Sequence, residues 1–206
     1  MNKKQRKRIK QERLKNKKLL KKYPWLKLRN PFMGKTYDGY DCTELDALPQ
    51  GWRIAFGDMI VEEIHQELVK TNYVDKYRIF QIKEKYGILC WYDNSPSNAL
   101  DKIRYKYEML SSNICIRCGK PDVKTTSGWV TPICEKCYEG NYSSLNGEGK
   151  MEDYYEYSTY NPTTKETTKH TVYIGDTAQK IRENWYKKHK EKTKENKKCN
   201  TMHEEV

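Results

Sequence analysis

The apolar positions of this chain follow two different periods, and the change of period marks the change of element. Between residues 49 and 70, Trp52, Phe56, Met59, Ile60, Ile64 and Leu68 recur three and four apart, which predicts an amphipathic helix opening near Leu48-Pro49-Gln50-Gly51 and ending at about Lys70. Its other face is acidic, with Glu62, Glu63 and Glu67. From Tyr77 to Tyr92 the period shortens: Ile79, Phe80 and Ile82, then Ile88, Leu89, Cys90 and Trp91, flank Glu84-Lys85-Tyr86-Gly87, the pattern of a β-hairpin with a Gly-containing turn. Asp93-Asn94-Ser95-Pro96 ends the second strand. The helical period then returns from about Ser97 to Ser112, with Leu100, Ile103, Tyr107 and Leu110 facing inward.

The flanks are less periodic. Tyr23-Pro24-Trp25-Leu26 and Asn30-Pro31-Phe32-Met33-Gly34 carry prolines that exclude regular helix, so an extended segment is expected, its aromatic rings packed on the core. Residues 140–150 are mostly Gly, Ser, Asn and Glu and read as a linker, with a domain boundary there. Residues 153–175 are rich in Tyr and Thr around Asn161-Pro162, the pattern of a mostly exposed hairpin. Asp176 and Gln179 form a D-x-x-Q variant of the capping box that opens a charged helix through Trp185 and Tyr186 to about Asn196, and the last ten residues read as frayed. No internal repeat is present. The expected fold is α+β: a basic tail or helix (1–22), a helix, β-hairpin and helix core (23–113), a four-cysteine zinc ribbon (114–139), a linker (140–152) and a Tyr-rich hairpin with a charged C-terminal helix (153–206).

Charge changes this picture at one end. Of the 40 Lys and Arg and the 28 Asp and Glu in the 206 residues, twelve and one fall within residues 1–22, so that segment carries +11 and the remainder +1. The basic residues are Lys3, Lys4, Arg6, Lys7, Arg8, Lys10, Arg13, Lys15, Lys17, Lys18, Lys21 and Lys22. Such a block binds polyphosphate by releasing condensed counterions, or serves only as a solubilising extension; both readings stand at this point. Ile9, Leu14, Leu19 and Leu20 form only a thin apolar stripe, too poor in bulky side chains for insertion into a membrane surface. No stretch reaches the ~20 apolar residues of a membrane span, and no apolar run follows the basic start as in a secretion signal. A soluble, cytoplasmic protein is expected.

Four of the seven cysteines form Cys115-x2-Cys118-x15-Cys134-x2-Cys137. Two C-x-x-C pairs at this spacing predict one tetrahedral zinc held by two knuckles, with Gly119 supplying the freedom of the first turn. Two disulfides are the alternative, disfavoured in a reducing cytosol. Four thiolates close the coordination shell, so the predicted zinc is structural rather than catalytic. In the loop between the pairs, Lys124 and Trp129 are candidates for phosphate contact and base stacking, though Trp129 is equally suited to filling a ribbon that has no other large core residue. Cys42, Cys90 and Cys199 lack such partners and read as free thiols. Glu62-x-x-His65 has the spacing of di-iron bundles but occurs once, and the alternating charges of Lys83-Glu84-Lys85 suit a soluble hairpin. No phosphate-binding glycine loop, HExxH or GxSxG motif is present. A non-enzymatic protein is expected.

The segments Thr43-Glu44-Leu45-Asp46-Ala47-Leu48-Pro49-Gln50-Gly51-Trp52, Gln81-Ile82-Lys83-Glu84-Lys85-Tyr86-Gly87, Trp91-Tyr92-Asp93-Asn94 and Cys115-x2-Cys118-Gly119-Lys120-Pro121 together resemble a functionally unassigned family of small four-cysteine zinc-ribbon proteins of phages and mobile elements of Gram-positive bacteria, over about residues 23–138. The resemblance implies a context of action on host machinery and transfers no catalytic residue. Two functions are expected on these grounds. One is nucleic-acid binding through the basic segment. The other is a phage-type inhibitor or adaptor that binds a host protein or nucleoprotein complex, for example a CRISPR effector, through its acidic helix face or its tyrosines.

Overall fold

The structure, a computed structural model, describes residues 2–30, 35, 37, 41–95, 97–147 and 149–201, with the side chains of Lys4, Arg8 and 191–201 left aside. Pro31–Gly34, Cys199 as a thiol and the end of the chain therefore lie outside the described residues or side chains.

The α+β reading holds in outline: helices combine with three separate two-stranded antiparallel sheets. Helix α1 (Lys3–Lys22) is closed at its start by Asn2 and Gln5, which exchange side-chain and backbone hydrogen bonds at 2.9 Å. A 3-10 turn at Pro24–Leu26 follows in place of a wholly extended segment, because proline is well suited to the first position of a helical turn. Tyr23 and Trp25 are buried, as expected of the aromatics there.

Helix α2 (Gln50–Lys70) is the axis of the molecule, with Trp52, Phe56, Ile60, Ile64 and Leu68 all buried. Strands β1 (Ile79–Lys85) and β2 (Ile88–Asp93) pair with Lys85 opposite Ile88. The two residues between them, Tyr86 and Gly87, have φ of 52° and 76°, the positive values that a type I′ hairpin turn demands of both central residues. A register shift between Ile79 and Gln81 bulges β1 and leaves Phe80 more than half exposed. Helix α3 (Asn98–Ser111) is capped by Ser97 and packs Leu100, Tyr107 and Leu110 against α2 and β2.

The core formed by these elements is rich in aromatic residues that keep a polar end satisfied. Trp52 donates from Nε1 to the Ile114 carbonyl at 2.9 Å, Tyr107 donates to Glu63 at 2.8 Å, and the Tyr77 hydroxyl donates to Asp93 while accepting from Trp91 Nε1 at 3.1 Å.

Strands β3 (Lys124–Thr125) and β4 (Pro132–Ile133) form the small sheet of the cysteine region. The stretch expected as a linker is held against it. Asn146 and Thr125 exchange backbone hydrogen bonds, Leu145 is buried beside the cysteines, and Met151 is buried in the large core. Two isolated apolar residues suffice here because both neighbouring cores have a place for one. The C-terminal hairpin, β5 (Tyr154–Asn161) with β6 (Glu166–Tyr173), is largely exposed as expected, and anchors through Val172 and Ile174.

Helix α4 (Gly175–Thr201) begins one residue before Asp176, so Asp176 sits in its first turn rather than as the expected cap. Gln179 pairs forward with Glu183 at 2.9 Å instead of reaching back.

Candidate metal centre and basic face

Each C-x-x-C pair sits on its own turn. Cys115 lies in the chain between α3 and the small sheet, and its backbone pairs with that of Lys120 at 2.8 Å. Gly119, at φ of 83°, reverses the chain behind Cys118. Cys134 precedes a 3-10 turn at Glu135–Cys137, which carries the fourth thiol back toward the others.

The result is a group in which the four sulfur atoms lie within 4.8 Å of one another. The Cys118 and Cys134 sulfurs are 3.6 Å apart. A tetrahedral ion with metal–sulfur bonds of ~2.3 Å requires ligand sulfurs about 3.8 Å apart, so the donor set fits one ion. All four are free thiols rather than disulfides.

Their electrostatics also favour a cation. Burial raises the Cys115 pKa, but backbone N–H groups of Cys118, Cys134 and Arg117 outweigh it and hold this thiol below its ordinary range. Burial and neighbouring sulfur push Cys118 well up and Cys137 up to about 11. A divalent ion held by the set would draw the protons off Cys118 and Cys137 against these shifts.

The knuckle is joined to the start of α2 backbone to backbone. Gly51 donates its N–H to the Ile116 carbonyl at 2.8 Å, and a Cβ at Gly51 would lie 2.0 Å from the Cys115 carbonyl oxygen. A Cβ at Gly119 would in turn lie 2.6 Å from the Gly51 carbonyl oxygen. On the other side, Arg182 of α4 grips Asp122 with two hydrogen bonds of 2.8 Å.

The basic segment is a helix docked by its second half. Asn16, the most buried polar residue of α1, donates to the Asp41 carbonyl at 2.9 Å and to the Asp46 carboxylate at 2.8 Å. Lys15 pairs with Asp58, Lys17 with Asp41 and Lys22 with Glu62, while Leu19 and Leu20 rest on the core. Glu62 also accepts from the Tyr23 hydroxyl; hydrogen bonds from Lys22 and Tyr23 pull its pKa down to about 2. Of the acidic face of α2, Glu62 thus docks α1, Glu63 holds Lys106 and Tyr107 of α3 and Glu67 pairs with Lys70, while His65 Nδ1 lies 3.4 Å from the donor Trp25 Nε1. The other half of α1 is different. Among the described side chains, Lys3, Arg6, Lys7, Lys10 and Arg13 form no ion pair, nor do Lys18 and Lys21. The side chains of Lys4 and Arg8 are outside those described.

The two loop candidates part company. Lys124 turns inward, with its Nζ 3.4 Å from the Leu145 carbonyl and over the Tyr142 ring, so it braces the chain around Leu145. Trp129 does not fill the ribbon. It is 80% exposed, because Val123, Ile133 and Leu145 already occupy the inside.

The sequence reading missed Asn16, Asp122 and Gly51. Asn16 carries a signal, being a poor helix former amid lysines and leucines; the other two act through partners distant in sequence. Among the described residues, no helix is long and apolar enough to cross a membrane. No family model, curated protein or solved structure matches this chain.

Proposed function

We propose that this protein is a zinc-stapled, non-enzymatic nucleic-acid-binding accessory protein whose affinity comes from phosphate contacts along α1. The four-thiolate set selects Zn²⁺ among common divalent ions by its softness and its tetrahedral spacing, and it leaves no open position for a substrate. Its role is to fix the fold beside α2. The observation that carries the nucleic-acid reading is the division of α1: carboxylates of the body engage Lys15, Lys17 and Lys22, whereas Lys3, Arg6, Lys7, Lys10 and Arg13 project as a basic row without carboxylate partners among the described residues. A helix anchored at one end and cationic at the other suits a polyphosphate backbone, whose condensed counterions each new contact releases.

The test is the salt dependence of binding to a DNA duplex of arbitrary sequence. Replacing Lys3, Lys7 and Lys10 with Gln preserves helix propensity and should reduce the log–log salt slope by roughly 0.9 for every phosphate no longer neutralised. An unchanged slope and affinity would remove α1 from the interface.

A second reading has its own support. Tyr154, Tyr160 and Tyr173 stand more than half exposed on the C-terminal hairpin, as in surfaces that recognise protein. A phage-type inhibitor or adaptor acting on a host defence complex, such as an anti-CRISPR, would use this face. A complex with a host protein that survives nuclease and is abolished by Tyr160→Ser would favour it over the first.

A further inference from the structure

The outward face of the β1–β2 hairpin has no counterpart in the core. Strand alternation sends Ile82, Leu89 and Trp91 inward and Gln81, Lys83, Lys85 and Tyr92 outward, as their burial shows. The lysines are interleaved with rings: Lys83 Nζ lies 5.3 Å from the centre of the Tyr92 ring, and Lys85 Nζ 5.4 Å from that of Tyr86. Glu84, between the two lysines, is engaged in the turn, accepting the Gly87 N–H at 2.6 Å, while Glu108 lies at the Tyr92 end of the strip and accepts from the Trp91 N–H.

The cysteine loop continues the strip. Its tip meets the hairpin turn directly, since a Cβ at Gly87 would lie 3.1 Å from both the Cγ1 and the carbonyl oxygen of Val130. Tyr86, 73% exposed, and Trp129, 80% exposed, therefore flank one contact, one residue to each side. The Trp129 ring is not on a loose end. Thr126 and Thr131 close the loop behind it, with Thr126 N–H to the Thr131 carbonyl at 3.0 Å and Thr131 N–H to the Thr126 hydroxyl at 2.9 Å. A large ring left exposed on a closed loop is informative where a buried one would not be.

We infer that the hairpin face and the loop tip form one stacking platform for unpaired bases, on which Tyr92, Tyr86 and Trp129 take the bases while Lys83 and Lys85 meet the phosphates. This rests on the nucleic-acid reading above and narrows it to single-stranded nucleic acid. Rings accept any base because every base has a π-face, and intervening lysines match the charge of the backbone. Duplex bases are already stacked on one another and cannot use the rings.

The experiment uses the full-length zinc-loaded protein, with a twelve-nucleotide oligothymidine and a duplex of the same length as probes, read by fluorescence anisotropy. Trp129→Ala and Tyr86→Asn are the variants; Asn tolerates the positive φ of the turn, and both positions are exposed, so circular dichroism should remain that of the parent. Each should weaken binding of the single strand about ten-fold and leave the duplex unaffected. Lys85→Gln should reduce the single-strand salt slope by about 0.7. If the parent binds both probes and neither aromatic variant changes single-strand affinity, the platform is wrong while the α1 reading stands. If the parent binds neither probe, both are wrong. A nuclease-resistant protein complex abolished by Trp129→Ala, with oligothymidine binding unaltered, would assign the face to a protein partner and overturn the inference.

Discussion

Around Trp52, large side chains close the core by themselves: Phe56, Tyr107, Trp91, Tyr77 and the aliphatic positions of α2 and α3 interlock, and their polar ends pair within the same layer. Around the cysteines, the buried set among the described residues is small: Val123, Ile133 and Leu145 join Cys115 and Cys134, with Pro121 and Pro132 buried nearby and Tyr138 and Tyr142 packed partly buried against it. So small a buried set offsets little of the entropy of ordering the chain from Cys115 to Leu145, and below a certain core size a cross-link or a metal can substitute for apolar area. One chain therefore holds two kinds of region: a large core closed by packing, and a smaller one built around four sulfur atoms whose spacing could take an ion.

The largest expected effect strikes the first region. Trp52→Ala removes a fully buried ring and its hydrogen bond to Ile114, and should cost about 3–5 kcal/mol, a large share of a total of about 5–15 kcal/mol, read as a much lower midpoint in a denaturant titration. The next strikes the second region alone. Stripping the metal with a chelator should remove amide protection between Asn113 and Asn146 while leaving α2, α3 and the first hairpin protected, measured by hydrogen exchange. Simultaneous loss of both regions would show that the large core is not self-sufficient.

The smallest effect concerns how α1 is held, which belongs to neither core. Glu62 has its pKa lowered to about 2 by hydrogen bonds from Lys22 and Tyr23. A depressed carboxylate contributes stability that is present above its unfolded value, near 4.5, and lost as pH falls through the folded value. Acidification from pH 4.5 to 2 should therefore loosen the Lys22 end of α1 slightly, the effect being small because the pair is largely exposed and screened. Neutralising the site by Glu62→Gln should reduce this dependence in exchange rates of the amides at the Lys22 end of α1; a dependence unchanged by the substitution would assign it to the carboxylates that hold Lys15, Asn16 and Lys17.

What was legible in the sequence follows the same division. The helix over 50–70, the first hairpin and the second helix could be read because periodicity reports burial one turn or one strand residue at a time, and Trp52 to Leu68 carry it without interruption. The cysteines could be read because ligand spacing is a local property of a knuckle. Asn16 could not, since its meaning lies in Asp41 and Asp46, and Leu145 could not, since a single apolar residue in a polar stretch has no period. Trp129 was readable in two ways, and the choice depended on whether Val123, Ile133 and Leu145 left a space for it.

The joint at Gly51 reaches beyond stability. Four-cysteine units are commonly treated as interchangeable parts, cut at their ends and transplanted. Here the cut cannot be made cleanly, because the first knuckle rests on the bare backbone at the start of α2 and any side chain at that position would collide with the Cys115 carbonyl oxygen. A recipient scaffold would have to present a glycine at the opening of a helix, with that helix already at the right height. The unit that can be moved is thus knuckle plus helix, and a genetic exchange that separated them would leave the knuckle without the backbone it rests on.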